Sequence, residues 1–408
     1  MWKQIDCPVE VRENALGEIR LSDATTDPLA EYIGKAQCVY IDPPFFTGDT
    51  FTMRQRIGED GWRNGTPAVS LKAYSDAYES KEKYLNFLRA LIEKAHALLN
   101  DTGALFLHLD TRMDAYARLL LDEIFGEKNF VNEIIWAYQS GGRSTRRFSS
   151  KHDIIFFYQK TRHLAFDLSE VPISRGENRQ NHMRRTTDAD GRACRTIRSG
   201  GKTYVYYDDD PVYPGDVWTD LSHLQQKDPQ RTGYDTQKPQ ALMERILKPT
   251  TKEGELAVDL CCGSGTLPLT AALLKRRFLG VDCGQMATSV SRKRLIAAKV
   301  PFTLNAQQPM IPAELNADLY GGIAFCDIFL KGFSTKAEMP DCAKGLDAID
   351  QWSVGILKDG VFHVVDDSVR LKQCPALRPM LQLPFLSGAP AVSVTDVMGN
   401  RYCFVYEN

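Results

Sequence analysis

The clearest indication of fold lies in the segment Asp259-Leu260-Cys261-Cys262-Gly263-Ser264-Gly265-Thr266. It follows an apolar run, 256–260, that predicts a buried strand, and it leads into a helix predicted over 264–275. Two glycines between a strand and a helix let the backbone approach a ligand closely, as in doubly wound α/β folds. Asp282 ends the next predicted strand, at about the offset of a carboxylate that binds both ribose hydroxyls. The segment therefore predicts a ligand site, with a merely tight turn as the alternative.

The ligand predicted for this turn is an adenosyl group rather than a dinucleotide. A dinucleotide site requires a third glycine in the pattern G-x-G-x-x-G, and Pro268 occupies that position. A nicotinamide-dependent oxidoreductase is therefore disfavoured, and a ligand without a pyrophosphate is favoured.

Nearer the N-terminus lies the first motif of the chain, Asp42-Pro43-Pro44-Phe45, which follows a predicted strand at 36–42. An exocyclic amine on a planar base is a poor nucleophile, because its lone pair is delocalised into the ring. Asp42 and the Pro43 carbonyl could accept the two N–H groups of such an amine, and Phe45 offers a flat face for stacking. A base inside a duplex would first have to be flipped out. The alternative interpretation is a rigid turn that closes the strand.

Strands and helices alternate on both sides of a polar middle region, which predicts a doubly wound, Rossmann-like α/β fold. Strands are predicted at 36–42, 104–109, 133–138, 153–158, 256–260 and 278–282, and helices at 82–99, 239–248, 264–275 and 284–298. The alternation within the first 160 residues indicates a parallel sheet. Residues 161–232 break the pattern and are predicted to form an inserted module. From about residue 310 the chain is predicted to be a small β-rich domain, with a hairpin around Met398-Gly399-Asn400.

Composition indicates an ordinary globular chain of 408 residues, with 43% hydrophobic and 25% charged residues. The net charge of −2 conceals a local surplus, because residues 143–202 contain 14 Lys and Arg against 6 Asp and Glu. Such a positive field would attract a phosphate backbone, and a solvated protein face is the alternative. The candidate DNA-binding residues are Arg143, Arg146, Arg147, Arg184, Arg185, Arg192, Arg195, Arg198 and Lys202.

Several features predict a cytoplasmic protein. No apolar run approaches the roughly 18 residues of a membrane helix, and the N-terminus lacks an apolar signal segment. The ten Cys include no C-x-x-C pair, which fits a reduced protein better than a disulfide framework. No metal-ligand spacing is present, so no metal is predicted. His108 and Asp110 end a predicted strand, where a structural role is favoured over a role in a pocket.

Three stretches resemble one family. The stretch 40–48, which reads Tyr-Ile-Asp-Pro-Pro-Phe-Phe-Thr-Gly, resembles the catalytic motif of amino-group DNA methyltransferases. The stretch 231–239, Arg-Thr-Gly-Tyr-Asp-Thr-Gln-Lys-Pro, resembles the segment that such enzymes place before the S-adenosylmethionine loop, and 259–266 resembles that loop. The order, with the catalytic motif first, is similar to the beta class of circularly permuted enzymes, which includes modification subunits of type III restriction systems. The resemblance covers about residues 17–160 and 214–298.

The resemblance implies transfer of a methyl group from S-adenosylmethionine to adenine N6 in DNA after base flipping. The implied catalytic residues are Asp42, Pro43, Pro44 and Phe45. The implied cofactor-binding residues are Thr236, Lys238, Asp259, Leu260, Cys261, Gly263, Ser264, Gly265, Thr266 and Asp282. Asp rather than Ser at position 42 favours adenine, and a cytosine-N4 methyltransferase or a recognition subunit of a restriction-modification complex remain alternatives.

The implied organisation has a catalytic half at 1–160, a target-recognition region at 161–232, a cofactor-binding half at 233–300 and the β-rich domain at 310–408. The implied partner is double-stranded DNA, with a second copy of the chain and a restriction-system subunit as open alternatives.

Overall fold

The computed structural model describes residues 1–63, 68–138, 145–173, 184–322, 325–384 and 387–407. The α-helices of these ranges are α1 (Asp60–Arg63), α2 (Lys81–Leu98), α3 (Asp114–Leu121), α4 (Gln240–Thr250), α5 (Thr266–Leu273) and α6 (Gln285–Ala297). The β-strands are β1 (Trp2–Ile5), β2 (Val9–Arg12), β3 (Gly17–Leu21), β4 (Ala36–Ile41), β5 (Thr50–Gln55), β6 (Val69–Ser75), β7 (Leu99–Leu109), β8 (Phe130–Ala137), β9 (His152–Gln159), β10 (Arg184–Thr187), β11 (Ala193–Ser199), β12 (Lys202–Tyr207), β13 (Val217–Trp218), β14 (Leu256–Asp259), β15 (Arg277–Asp282), β16 (Thr303–Ala306), β17 (Ala313–Gly321), β18 (Phe325–Thr335), β19 (Ile349–Lys358), β20 (Val361–Val369), β21 (Met380–Pro384), β22 (Ala389–Asp396) and β23 (Arg401–Tyr406).

The centre of the molecule is a parallel sheet in which β3, β15, β14, β4 and β7 lie side by side. Every residue of β4 and β14 is buried, as expected for strands covered on both faces. Val39 packs with α2 on one face, and Tyr40 packs with α4 and α5 on the other. The doubly wound α/β fold predicted from the sequence is therefore confirmed, and most element boundaries differ from prediction by a few residues.

The prediction of a parallel sheet in the first 160 residues was wrong for one of its strands. Strand β9 runs antiparallel to both β7 and β8 and lies between them. In the described part of the chain no helix separates β8 from β9, so the chain returns directly. A direct return gives an antiparallel pair, whereas parallel neighbours need a crossover connection.

The predicted insert contains a separate antiparallel sheet in the order β10-β11-β12. Strand β13, before the end of the predicted insert, returns to the principal sheet beside β8. The C-terminal strands β19, β20, β22 and β23 extend the principal sheet, because β20 pairs with β2, and β22 and β23 form the predicted hairpin. The domain boundaries remain predictions. Among the described residues, no helix has both the length and the hydropathy that a membrane span requires.

Candidate active site

Three aspartates stand at the carboxyl ends of three adjacent parallel strands. Asp42 follows β4, Asp259 ends β14 and Asp282 ends β15. Carboxyl ends of parallel strands meet at one edge of a sheet, which is where doubly wound folds bind ligands. The two motifs, far apart in the chain, therefore converge on one cavity of about 230 Å³. The predicted site residues that line it are Asp42, Pro43, Pro44, Phe45, Thr236, Lys238, Asp259, Leu260, Cys261, Gly263, Ser264, Thr266 and Asp282.

The remaining predicted residue, Gly265, is not among the residues that line the cavity and instead faces α6. Gly263 and Gly265 have φ angles of 48° and 71°, in the left-handed region that glycine tolerates best. A Cβ on Gly265 would lie 2.5 Å from Oγ of Ser291 on α6. The Ser291 hydroxyl donates a hydrogen bond to the carbonyl of Gly263 at 3.0 Å. The loop can therefore approach α6 only with glycine at position 265.

Asp282 is bound tightly to the same loop. Its two oxygens accept the backbone N–H groups of Gly263 and Gly284, each at 2.8 Å. Burial raises the pKa of Asp282 despite these two hydrogen bonds. Burial also raises the pKa of Asp259 well above its usual range, and the nearby Asp42 carboxylate adds to the effect. Extra negative charge is costly here, so the cavity favours a ligand that brings positive charge or hydroxyl donors.

Three thiols line the wall between these carboxylates. Burial raises the pKa of Cys261 and Cys262 well above the ordinary thiol value, and it raises the pKa of Cys283 to about 11. Because the thiolate is the reactive form, these cysteines form an unreactive wall rather than a nucleophilic centre.

The Asp42 carboxylate is bound by Lys238, which belongs to the segment that precedes α4. Nζ of Lys238 lies 2.6 Å from Oδ2 of Asp42 and 5.3 Å from the centroid of the Phe45 ring. The other oxygen, Oδ1, is buried and has no hydrogen-bond donor among the described residues, and Nδ1 of His108 lies 3.8 Å from it. Lys238 thus contacts both the carboxylate and the aromatic ring of the motif.

The loop after Asp42 depends on Asp76, a residue that sequence reasoning missed. The fully buried Asp76 carboxylate accepts three backbone N–H groups, at 3.1 Å from Phe45, 2.8 Å from Phe46 and 2.9 Å from Thr47. The Tyr84 hydroxyl donates to the carbonyl of the second proline at 2.8 Å. No sequence motif identifies Asp76, because its role depends on the position that β6, which it follows, has in the folded chain.

An aromatic stack, also missed, forms part of the cavity wall. The rings of Phe51 and Tyr74 are 5.0 Å apart, and those of Tyr74 and Tyr234 are 6.5 Å apart, both with an interplanar angle of 23°. Tyr234 lies 3.4 Å from the position of a Cβ on Gly263. The stack gives the glycine loop an aromatic neighbour suited to a planar ligand. The sequence signal that could have identified Tyr234 was its position within the stretch 231–239, which resembles the segment before the S-adenosylmethionine loop.

The predicted DNA-binding arginines fall into two groups. Arg185 and Arg195 both pair with Asp208, at 2.9 and 3.1 Å, and Arg192 pairs with Asp209 at 2.8 Å. Each of these three guanidinium groups therefore has a carboxylate neighbour, and Arg185 and Arg195 share one. Arg198 and Lys202 are exposed at the tip of the β11–β12 hairpin, as are Arg146 and Arg147 elsewhere. Arg184 belongs to β10, and Arg143 lies outside the described residues.

A doubly wound α/β fold with a ligand cavity at the carboxyl edge of its sheet is compatible with one class, the amino-group methyltransferases. A model of the DNA methylase family, N6_N4_Mtase, matches residues 36–292. The chain belongs to this family, and it is a DNA amino-group methyltransferase with S-adenosylmethionine as cofactor.

Known proteins resemble the chain to different extents. It is 25% identical to the type II methyltransferase M.EcaI of Enterobacter cloacae, over 69% of this chain and 70% of the relative. It is 27% identical to the Mod subunit of the type III enzyme EcoPI of Escherichia phage P1, over 45% of this chain and 33% of that subunit. The solved complex of M1.HpyAVI with SAM has a TM-score of 0.40 and 17% identity, with 68% of this chain and 98% of that chain covered.

Proposed function

We propose that this chain transfers a methyl group from S-adenosylmethionine to N6 of adenine in double-stranded DNA. The observation that carries the proposal is the shared cavity, which is lined by Asp42 of the first motif and by Asp282, whose carboxylate accepts the N–H of Gly263 in the glycine loop. Amine and methyl donor must be aligned for transfer, and binding both in one cavity provides that alignment.

The residues present fit the proposed cofactor. Bound S-adenosylmethionine supplies an electrophilic methyl group on a positively charged sulfur. Asp282 is proposed to accept the ribose hydroxyls, and Gly263 and Ser264 to line the methionine part. The buried carboxylates favour a cationic ligand, since their charge is costly without a partner. Lys238 contacts Asp42 directly, and we assign it to the catalytic carboxylate rather than to the cofactor.

The residues of the first motif are proposed to act on the base. Oδ2 of Asp42 would accept one N–H of the target amine and the Pro43 carbonyl would accept the other, so that the nitrogen lone pair leaves conjugation with the ring. Phe45 would stack on the flipped base, as aromatic side chains do in other base-flipping enzymes. Asp76 fixes the backbone of this loop, so the acceptors are positioned before the substrate arrives. An aspartate at position 42 supports adenine over cytosine.

The hairpin tip is proposed to contact the DNA backbone. Arg198 and Lys202 are exposed there, whereas the neighbouring arginines are paired with aspartates. Phosphate contacts release counterions, so the affinity for DNA should fall steeply with salt. The names of the relatives support a restriction-modification context, in which methylation protects DNA from a separate nuclease.

The experiment is product analysis. Protein, DNA and labelled cofactor are incubated, and the DNA is digested to nucleosides. N6-methyladenine is expected, whereas N4-methylcytosine in its place would overturn the base assignment. Asp42→Ala should abolish transfer while cofactor affinity by calorimetry stays near wild type, and the exposed Asp341→Ala serves as a control. Equal rates for Asp42→Ala and wild type would exclude the proposed mechanism.

A further inference from the structure

A buried histidine lies directly behind the first motif. His108 is in β7, the parallel neighbour of β4, and its side chain is fully buried. Its ring is 5.9 Å from the ring of Phe45 and makes an edge contact with Trp136 at 5.5 Å. The imidazole therefore lies behind Phe45 and is packed between aromatic rings.

The hydrogen bonds of His108 define one neutral tautomer. Nε2 lies 3.2 Å from Oδ2 of Asp153, and Nδ1 lies 2.7 Å from the hydroxyl of Tyr40. A carboxylate only accepts, so Nε2 donates its proton to Asp153, and in the neutral ring Nδ1 then accepts from Tyr40. The Tyr138 hydroxyl donates to the second oxygen of Asp153 at 3.0 Å. Burial alone would raise the pKa of Asp153, but the hydrogen bond with His108 helps to lower it, so Asp153 remains a carboxylate.

The Asp42 carboxylate beside this histidine lacks a proton donor at one oxygen. Oδ2 accepts from Lys238, while the buried Oδ1 accepts from no group in the described residues. A buried acceptor without a donor is unfavourable. Nδ1 of His108 is 3.8 Å from Oδ1. If this nitrogen carried a proton, it could donate a hydrogen bond to Oδ1 after a small shift of the two side chains. Asp153, on the other side of the ring, would stabilise the resulting imidazolium.

We propose that His108 receives the proton that the target amine loses during methyl transfer, with Asp42 as the intermediate carrier. The nitrogen lone pair forms the new N–C bond as the C–S bond breaks and its electron pair goes to sulfur. The nitrogen then carries one proton too many. Asp42 accepts this proton, the N–H electron pair returns to nitrogen, and the proton passes to Nδ1 of His108. The inference rests on the proposed function and extends it by assigning a proton acceptor.

The neighbours of the ring are compatible with this role. The titratable and charged groups around His108 are Tyr40 and Asp42 from β4, Asp110 after β7, Tyr138 after β8, Asp153 from β9 and Lys238 before α4. The tyrosine hydroxyls can turn from donor to acceptor, and the carboxylates favour an imidazolium. Lys238 opposes it, but its charge is already paired with Asp42.

The test is the pH dependence of single-turnover methylation by enzyme saturated with DNA and S-adenosylmethionine. The wild-type rate should fall at acid pH, because an imidazolium cannot accept a proton. His108→Asn should lower the rate by about 100-fold, the usual contribution of acid–base catalysis, and should abolish the acid limb. Asp153→Asn should move the acid limb to lower pH, because the imidazolium loses its stabilising carboxylate. The exposed His163→Asn is the matched control and should keep the wild-type profile.

Each outcome supports or overturns the proposal. Cofactor affinity and thermal unfolding are measured on every variant, so that a structural loss is recognised. A folded His108→Asn enzyme that keeps the wild-type acid limb overturns the proton transfer. If this variant does not fold, an unchanged acid limb in Asp153→Asn overturns it instead. A wild-type enzyme that methylates no DNA overturns the proposed function. If the wild type is active but His108→Asn or Asp153→Asn keeps the wild-type acid limb, only this inference is overturned.

Discussion

Nζ of Lys238 lies 2.6 Å from Oδ2 of Asp42, although 196 positions separate the two residues in the chain. The hydroxyl of Thr266 also donates to the backbone carbonyl of Lys238 at 3.2 Å. A short path therefore runs from the glycine loop through Lys238 to the carboxylate of Asp42, which is proposed to be catalytic. This path joins the two motifs at the point where both proposed substrates must meet.

The first prediction concerns this ion pair. Lys238→Met keeps most of the side-chain volume but leaves Asp42 buried without its cation. We expect the methylation rate to fall by about 100-fold, since removing one partner of a buried pair leaves the other uncompensated. Single-turnover assays measure the loss. Lys252→Met, on an exposed loop, is the control, and similar rates for the two variants would contradict the assignment of Lys238.

The second prediction concerns the glycine loop. Gly265→Ala places a Cβ 2.5 Å from Oγ of Ser291, in addition to the strain of a left-handed φ. Gly254→Ala is a matched control, because Gly254 has a φ of 80° and no atom near its Cβ position. The control should lose about 1 kcal/mol of stability through backbone strain alone and keep its cofactor affinity. Gly265→Ala should lose both stability and cofactor affinity. Titration calorimetry and urea unfolding compare the variants, and equal effects would show that the contact with α6 is unimportant.

The third prediction concerns the support of the Asp42 loop. Asp76→Asn replaces one of two accepting oxygens by a donor, so at least one of the backbone N–H groups of residues 45–47 loses its acceptor. We expect a stability loss of about 1–3 kcal/mol and at least about a tenfold lower methylation rate. Asp188→Asn is the comparison, since Asp188 accepts two backbone N–H groups in the turn between β10 and β11. A full methylation rate in Asp76→Asn would show that the loop is ordered by other contacts.

The sequence predicted the features that depend on local signals. The apolar runs before Asp42, Asp259 and Asp282 predicted strands, and the prolines and glycines after them predicted turns. Because parallel strands share an edge, these local predictions were enough to bring both motifs together. The structure places all three aspartates where that reasoning put them.

The features that the sequence did not predict depend on contacts between distant residues. The antiparallel insertion of β9 is decided by strand pairing, which no short pattern encodes. Asp76 and His108 acquire their roles only when other elements pack beside them. The charge count was incomplete for a related reason. It ended at Lys202, six residues before Asp208, which pairs with Arg185 and Arg195.

The last prediction concerns acid stability and the link between the C-terminal strands and the cofactor half. Glu10 on β2 is fully buried and contacts Arg12 at 2.7 Å and Arg292 of α6 at 2.9 Å. Arg292 also donates to Gln351 of β19 at 2.7 Å. Burial alone would raise the pKa of Glu10, but the guanidinium groups of Arg292 and Arg12 lower it to about 2. The Glu10 carboxylate therefore stabilises the folded chain wherever it is ionised.

The sign of the pH effect follows from this lowered pKa. A glutamate in the unfolded chain has a pKa of about 4.3, so the contribution of Glu10 is complete above that pH and is lost progressively as the pH falls towards 2. Glu10→Gln should lower the free energy of unfolding at neutral pH by about 3–5 kcal/mol, because the buried guanidinium groups of Arg12 and Arg292 lose one counter-charge and, among the described residues, keep only Asp367. Urea unfolding at a series of pH values should then show a weaker acid dependence than wild type, while the exposed Glu13→Gln should match wild type. If Glu10→Gln unfolded at the wild-type urea midpoint at every pH, the buried charge cluster would not be what joins α6 to the C-terminal strands.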